Sequence, residues 1–400
     1  MMRAFLTFSF LFFILNFSFS QVIPEARMLS EKDVLVGAAR FQEYIPKLAG
    51  KRVGVIANLT SKVGNSHLID TLIKLGVNVK KIFGPEHGFR GDSDAGEKVN
   101  TGIDSKTGLP LISLYGKHNK PTREDLRDLD ILLYDIQDVG VRFYTYISTM
   151  SYAMEACAEN KKKLIILDRP NPNGFYVDGP VLDPLYKSFL GLHPVPVVYG
   201  MTCGEYALMV NGEKWLNKGL KCDVEVISVL NYTHADYYQL PEKPSPNLPN
   251  MMSVYMYPSL GLFEGTIVSM GRGTAFPFQV IGHPKIKESD FSFTPQPNAG
   301  AKNPKYQNQV CYGYDLRRFG EDYLRNLKQL NLLWLSGMYQ SLKGEGEFFD
   351  ANFNFHAGNN LLQEQIKKSM KENDISASWK NDIKKFKLIR SKYLLYKDFE

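Results

Sequence analysis

From Arg52 onward the chain repeats one rhythm: a short run in which nearly every residue is apolar, a polar turn, then an amphipathic stretch of helical length. The runs are Val53 to Ala57, Val77 to Phe83, Leu111 to Tyr115, Ile131 to Asp135 and Leu164 to Leu167. Helix candidates lie between them at about Ser66 to Leu75, Thr122 to Asp128 and Thr145 to Glu159. A strand with one face in solvent alternates apolar and polar residues, whereas a strand that is apolar throughout has both faces covered. Intervening helices supply that cover, so the pattern predicts an α/β fold, a doubly wound and mostly parallel sheet. At 400 residues the chain is longer than one core usually organises, and a second domain is expected. The boundary is placed in the proline-rich "LPEKPSPNLPN", Leu240 to Asn250, which cannot hold regular structure. Residues 21–250 then form the sheet domain and 251–400 a smaller α+β domain. That second domain has strand-like pieces between Tyr257 and Pro284 and helices at about Arg318 to Gln329, Asn359 to Asn373 and Ser376 to Phe386.

The first twenty residues stand apart. Arg3 precedes an apolar run from Ala4 to Phe19, and Ser18 and Ser20 supply small residues before Gln21. This is the pattern of a cleaved secretory signal over residues 1–20, and the run is short for a membrane anchor. No cysteine marks a lipid-attachment point. The expected product is exported to the periplasm or the extracellular space, without stable membrane insertion. Removing Arg3 takes the net charge from +6 to +5, with no basic block denser than Lys161 to Lys163, which is too dilute for nucleic acid. A mild positive balance does suit an acidic glycan. Cys157, Cys203, Cys222 and Cys311 are far apart and show no metal-type spacing. Export permits disulfides, but a core this large does not need them, which leaves buried free thiols as the simpler reading. Oligomeric state is not written in these residues.

In doubly wound sheets ligands bind beyond the carboxyl ends of the strands. Here those ends carry Asn58, then Glu86 with His87, then Tyr115, then Gln137 with Asp138, then Asp168 with Arg169. Five polar ends are not needed for stability, and a shared binding crevice explains them together. No GxGxxG or GxxxxGK[ST] is present, which disfavours dinucleotide and P-loop nucleotide binding. There is no GxSxG, no HExxH and no histidine cluster, so neither a serine nucleophile nor a metal or other cofactor is expected. Glu205, three residues after Thr202, reads as a capping-box partner and not as a catalyst.

Carboxylates remain. Cleaving a glycosidic bond usually needs two, one to protonate the leaving oxygen and one to act as nucleophile or base. Glu86 sits behind Pro85 in "GPEHGFRG", where partial burial would favour the protonated form of a carboxyl, as a proton donor requires. Glu97, in "DAGEKV", lies eleven residues on, and the glycines between allow a fold back toward Glu86. In "DIQDVGVRFYTYIST", Asp138 and Arg142 flank Gly140; they either pair with each other or present toward a ligand, and Tyr144 and Tyr146 offer flat faces on which sugars stack. Asn247 in "PSPN", Glu264 in "YPSLGLFEGT" and Arg272 in "GRGT" each place a polar group on stiff backbone.

Taken in order, "GPEHGFRG", "DAGEKV", "TGLPLISLYG", "DIQDVGVRFYTYIST", "LDRPNPNG", "GMTCGEYA", "PSPN", "YPSLGLFEGT" and "GRGTAFPFQVIG" resemble the NamZ-type exo-β-N-acetylmuramidases of bacterial cell-wall recycling, over a span from about Leu35 to the terminal "KYLLY". The resemblance implies a Rossmann-like domain, a smaller domain closing the active-site cleft, and release of terminal β-1,4-linked N-acetylmuramic acid from the non-reducing ends of peptidoglycan-derived glycans. It also implies Glu86 as the leading catalytic residue and Glu97 as its partner. Muramic acid carries a lactyl ether ending in a carboxylate, so a selective pocket needs a cation that can grip it bidentately. Arg90, Arg142 and Arg272 lie in the densest motifs, with Arg90 and Arg142 preferred. The substrate-binding set is therefore Asn58, His87, Arg90, Asp138, Arg142, Tyr144, Asn247, Glu264 and Arg272. Two rivals stand beside the glycosidase: a non-catalytic periplasmic receptor that closes two lobes on a cell-wall fragment, and a metal-dependent hydrolase of phosphate or amide bonds.

Overall fold

The apolar runs become the buried strands of one sheet. In the computed structural model, which describes residues 26–86, 88–89, 102–287 and 289–400, β1 (Val53–Ala57) and β5 (Ile131–Asp135) are buried at every position. With β2 (Val79–Gly84), β3 (Gly102–Ile103), β4 (Pro110–Ser113), β6 (Lys163–Leu167) and β7 (Asp223–Ile227) they form a seven-stranded sheet of order β7-β6-β5-β1-β2-β4-β3. All neighbours are parallel except the edge strand β3, which runs antiparallel to β4. The chain leaves β1 through β2 to β4, then returns to pair β5 with the other flank of β1, Val53 opposite Ile131 and Ala57 opposite Asp135. The crevice of a doubly wound sheet opens at such a reversal.

Two of the seven strands, the short edge strand β3 and β7, lie outside the five apolar runs. β7 interleaves Asp223 and Glu225 with valines because it is an edge, and Glu225 pairs there with Lys163 and Lys47. The third apolar run stops at Ser113, which leaves Tyr115 in the loop beyond β4.

Helix α1 (Tyr146–Glu159) covers the sheet and buries Ile147, Met150, Met154 and Cys157. Helix α2 (Cys203–Gly212) starts with the expected capping box: Glu205 N donates to Thr202 Oγ1 (3.3 Å), and Thr202 N donates to Glu205 Oε2 (3.0 Å). The four cysteines are buried and unbridged.

The stretch after the proline-rich segment departs from its strand-like reading. Met251–Leu260 is helix α3, begun by Asn250, whose side chain accepts from Ser253 N at 3.0 Å. Of Tyr257 to Pro284 only Val280–His283 (β8) is a strand; it pairs with β10 (Cys311–Asp315), which also pairs with β9 (Phe291–Phe293). The cause is burial: α3 is enclosed nearly all round, so it shows no apolar stripe, and Pro258 in its last turns adds a misleading break.

One hydrophobic cluster runs through both parts, from Ile56, Leu132 and Met150 to Phe263, Met338 and Phe386. The last residues return to the sheet. Tyr396 OH donates to Asp168 Oδ2 (2.6 Å) just past β6, Leu395 N donates to Glu205 Oε1 (2.8 Å), and Arg390 donates to Gly200 O. No helix of the described residues is long and apolar enough to cross a membrane.

Candidate active site

β2 ends at Gly84, and Pro85 then fixes the backbone that carries Glu86 out over the sheet. Glu86 Oε2 accepts from Thr145 Oγ1 at 3.0 Å, one residue before α1. Tyr146 OH reaches the Glu86 carbonyl at 3.4 Å. From beyond β4, Tyr115 hydrogen-bonds the Glu86 side chain; its own burial, followed by the neighbouring Glu86, raises the phenol above its ordinary range. Three strand ends thus converge on one carboxyl group.

Facing it is a second group from beyond α3. Glu264 lies on the 3-10 turn Gly261–Gly265 and is ion-paired with Arg272, and His356 Nε2 stands 3.5 Å from Glu264 Oε2. Burial alone would push the Glu264 carboxyl up, but the charge of Arg272 and the hydrogen bond from His356 outweigh it and hold the group well below the usual carboxylate range. The Arg272 guanidinium lies 5.2 Å from the Phe278 ring centroid. Phe278 takes a left-handed backbone (φ 54°), a costly conformation for an aromatic residue and one that concentrates at functional sites. Phe278 in turn packs edge-on to Tyr257 (4.9 Å), and Tyr257 edge-on to Tyr144 (5.9 Å).

These groups enclose a cavity of about 430 Å³, toward the small end of ligand sites. Glu86, Tyr144, Asn247, Glu264 and Arg272 all line it. Asn247 is itself held by a 2.6 Å bond from its Nδ2 to Gly300 O. Among the described lining residues Arg272 is the one guanidinium or ammonium group.

Three other candidates lie elsewhere. Asn58 is fully buried and builds the turn after β1, its Oδ1 accepting from Thr60 N (2.9 Å) and Thr60 Oγ1 (2.6 Å). Asp138 accepts from Gly140 N (2.7 Å) and from Tyr199 OH, and burial pushes its carboxyl up to about 6. Arg142 neither pairs with Asp138 nor reaches the cavity. Its guanidinium is fully buried and donates to Pro180 O (2.7 Å), Val195 O (2.8 Å) and His356 O (2.9 Å). The ion-pair reading of the Asp138 and Arg142 motif is corrected: each residue ties loops together, neither lines the cavity, and the buried ion pair of the region is Asp135 with Arg169. His87, Arg90 and Glu97 lie outside the described residues, as does the segment 1–20.

Sequence reasoning missed His356 and Asn352 as cavity residues and did not assign Tyr115 or Thr145 a role. No local signal marks His356; it arrives through the Arg142 bond to its carbonyl. This gives a first expected result. Arg142→Lys should leave at least one of the three buried carbonyls without its donor and lower stability by about 2–3 kcal/mol, visible as an earlier urea midpoint. The preference for muramic acid over glucosamine glycosides should not change. A shifted preference at full stability would instead put Arg142 on the substrate.

A doubly wound sheet with two carboxylates and an aromatic wall meeting over its strand ends defines a glycosidase-type cleft. The chain belongs to the NamZ family of exo-β-N-acetylmuramidases: the N-terminal family model matches residues 53–252 and the C-terminal model residues 255–396. It is 38% identical to the peptidoglycan β-N-acetylmuramidase NamZ of Bacillus subtilis (strain 168), over 88% of this chain and 89% of that protein. Two crystal structures of DUF1343 family proteins from Bacteroides fragilis NCTC 9343 share the fold. One is 48% identical with a TM-score of 0.85, covering 92% of this chain and 99% of that one; the other is 32% identical with a TM-score of 0.76, covering 91% and 99%.

Proposed function

We propose that this chain is an exported exo-acting glycosidase that releases terminal β-1,4-linked N-acetylmuramic acid from the non-reducing ends of peptidoglycan fragments, with Glu86 protonating the leaving oxygen. The observation that carries this is the placement of Glu86: a carboxyl group on rigid backbone, oriented by Thr145 and Tyr115, opening into a cavity that Glu264 and Arg272 close from the other side. A cavity of about 430 Å³ suits one terminal sugar better than a chain threaded through it, which favours exo attack. Glu264, kept anionic by Arg272 and His356, supplies negative charge where the oxocarbenium-like transition state develops positive charge. Glu97 keeps its proposed part as nucleophile, base or electrostatic partner. Arg272 takes the lactyl carboxylate, since only part of its donor fork is spent on Glu264. The apolar run at Ala4 to Phe19 supports export.

A receptor that closes two lobes needs lobes with separate cores, and here one cluster runs through both parts. Product analysis by mass spectrometry after incubation with a muramic-acid-terminated disaccharide tests the proposal: free N-acetylmuramic acid is expected, and binding without release would overturn it. In the same assay Arg272→Lys, which keeps the charge but loses the fork, should reduce the preference for muramic over glucosamine glycosides about tenfold. An unchanged preference would exclude Arg272 as the carboxylate ligand.

A further inference from the structure

The short helix Phe353–Ala357 carries His356 to the cavity, and one glycine lets it come close. A Cβ at Gly265, the residue after Glu264, would lie 2.3 Å from Phe353 Cα, so only glycine permits this approach of helix to turn. Arg142 holds the helix by its 2.9 Å bond to His356 O, and the imidazole ring lies 5.5 Å from that of Phe143. His356 is 6% exposed, and its two ring nitrogens meet different partners. Nδ1 stands 3.2 Å from the carbonyl oxygen of Asn352, and Nε2 stands 3.5 Å from Glu264 Oε2. A carbonyl can only accept, and so can an ionised carboxylate. With Glu264 held anionic beside Arg272, both ring nitrogens must donate, which makes the ring an imidazolium. A neutral ring would turn a lone pair on one of these oxygens.

The extra charge alters the balance of the pocket. Among the described lining residues the carboxyl groups and cations are Glu86, Glu264, Arg272 and His356. Glu86 in its proton-carrying form adds no charge, and Glu264 cancels Arg272. A lactyl carboxylate brought to that neutral pair would leave one negative charge uncompensated in a site largely shielded from water. The imidazolium supplies the missing positive charge. Arg142, the other cation at His356, is committed to three backbone carbonyls and does not line the cavity. We propose that His356 is a specificity-determining residue: its imidazolium takes up the charge of Glu264 and leaves Arg272 to pair with the carboxylate of an acidic hexosamine. The assignment rests on the glycosidase reading only for the choice of muramic acid as that sugar.

Titration calorimetry of the full protein with free N-acetylmuramic acid, and with its lactyl amide as a neutral ligand of nearly the same shape, separates charge from structure. His356→Gln, which removes the cation but keeps a donor, should weaken binding of the acid about tenfold and leave that of the amide within about twofold. His356→Lys, which returns a positive charge, should restore most of the difference between the two ligands. An equal loss on both ligands, or no loss on either, would overturn the proposal. Should the glutamine variant fail to fold, nitrogen NMR of the wild type labelled at histidine decides: both His356 ring nitrogens are expected to be protonated at the pH of binding, and a neutral ring would overturn the assignment. If the acid binds through His356 while the disaccharide is not cleaved, the charge assignment stands and the catalytic reading falls.

Discussion

Glu86→Gln is expected to lower turnover of a muramic-acid-terminated disaccharide by about 10³-fold, a loss of about 4 kcal/mol in transition-state stabilisation. Glutamine keeps the carbonyl oxygen that accepts from Thr145 Oγ1 and fills the same volume, so the fold and the cavity survive. What disappears is the acid proton. The diagnostic is the leaving group: an activated aryl glycoside departs without much protonation, so its turnover should fall far less than that of the disaccharide, whose departing sugar alkoxide is a poor leaving group. Equal losses on both substrates would assign Glu86 to nucleophilic attack or electrostatic support instead. Near-normal turnover on the disaccharide would remove it from the chemistry altogether.

Glu264→Gln should cost both rate and stability. The carboxylate is the counter-ion of Arg272, and removing one member of a buried pair strands the other. About a quarter of each side chain faces the cavity, which places the expected loss at about 2–3 kcal/mol, below that of a fully enclosed pair. Turnover should fall about 10²-fold as the cavity loses its fixed negative charge. The pH dependence identifies the cause. Because the folded-state pKa of Glu264 is depressed, its stabilising contribution is fully present above the unfolded value of ~4.3 and is lost as pH falls through the folded one. The stability gap between wild type and variant should therefore shrink as pH falls below that unfolded value. A gap that instead widened in acid would mean that Glu264 is protonated in the native enzyme.

The sheet was legible because burial on two faces erases alternation, and Val53 to Ala57 and Ile131 to Asp135 carry that signature without ambiguity. Glu86 was legible for a related reason: strand ends in such a sheet point at the crevice whatever the ligand. Arg142 was not. Its motif reads as a loop cation, and its three acceptors come from residues 180, 195 and 356, the farthest 214 positions away. The same distance hid His356, since the Arg142 bond to its carbonyl is part of what places it. Most of helix α3 was not read, and its last turn fell in a stretch read as strand-like, because full enclosure removes the periodicity that marks a helix at a surface.

Two contacts of long sequence separation close a layer beside the sheet: Leu395 and Tyr396 supply donors to Glu205 and Asp168, 190 and 228 positions earlier in the chain. Until Leu395 and Tyr396 dock, each of those two acidic groups lacks a donor, and contacts of such sequence separation slow folding.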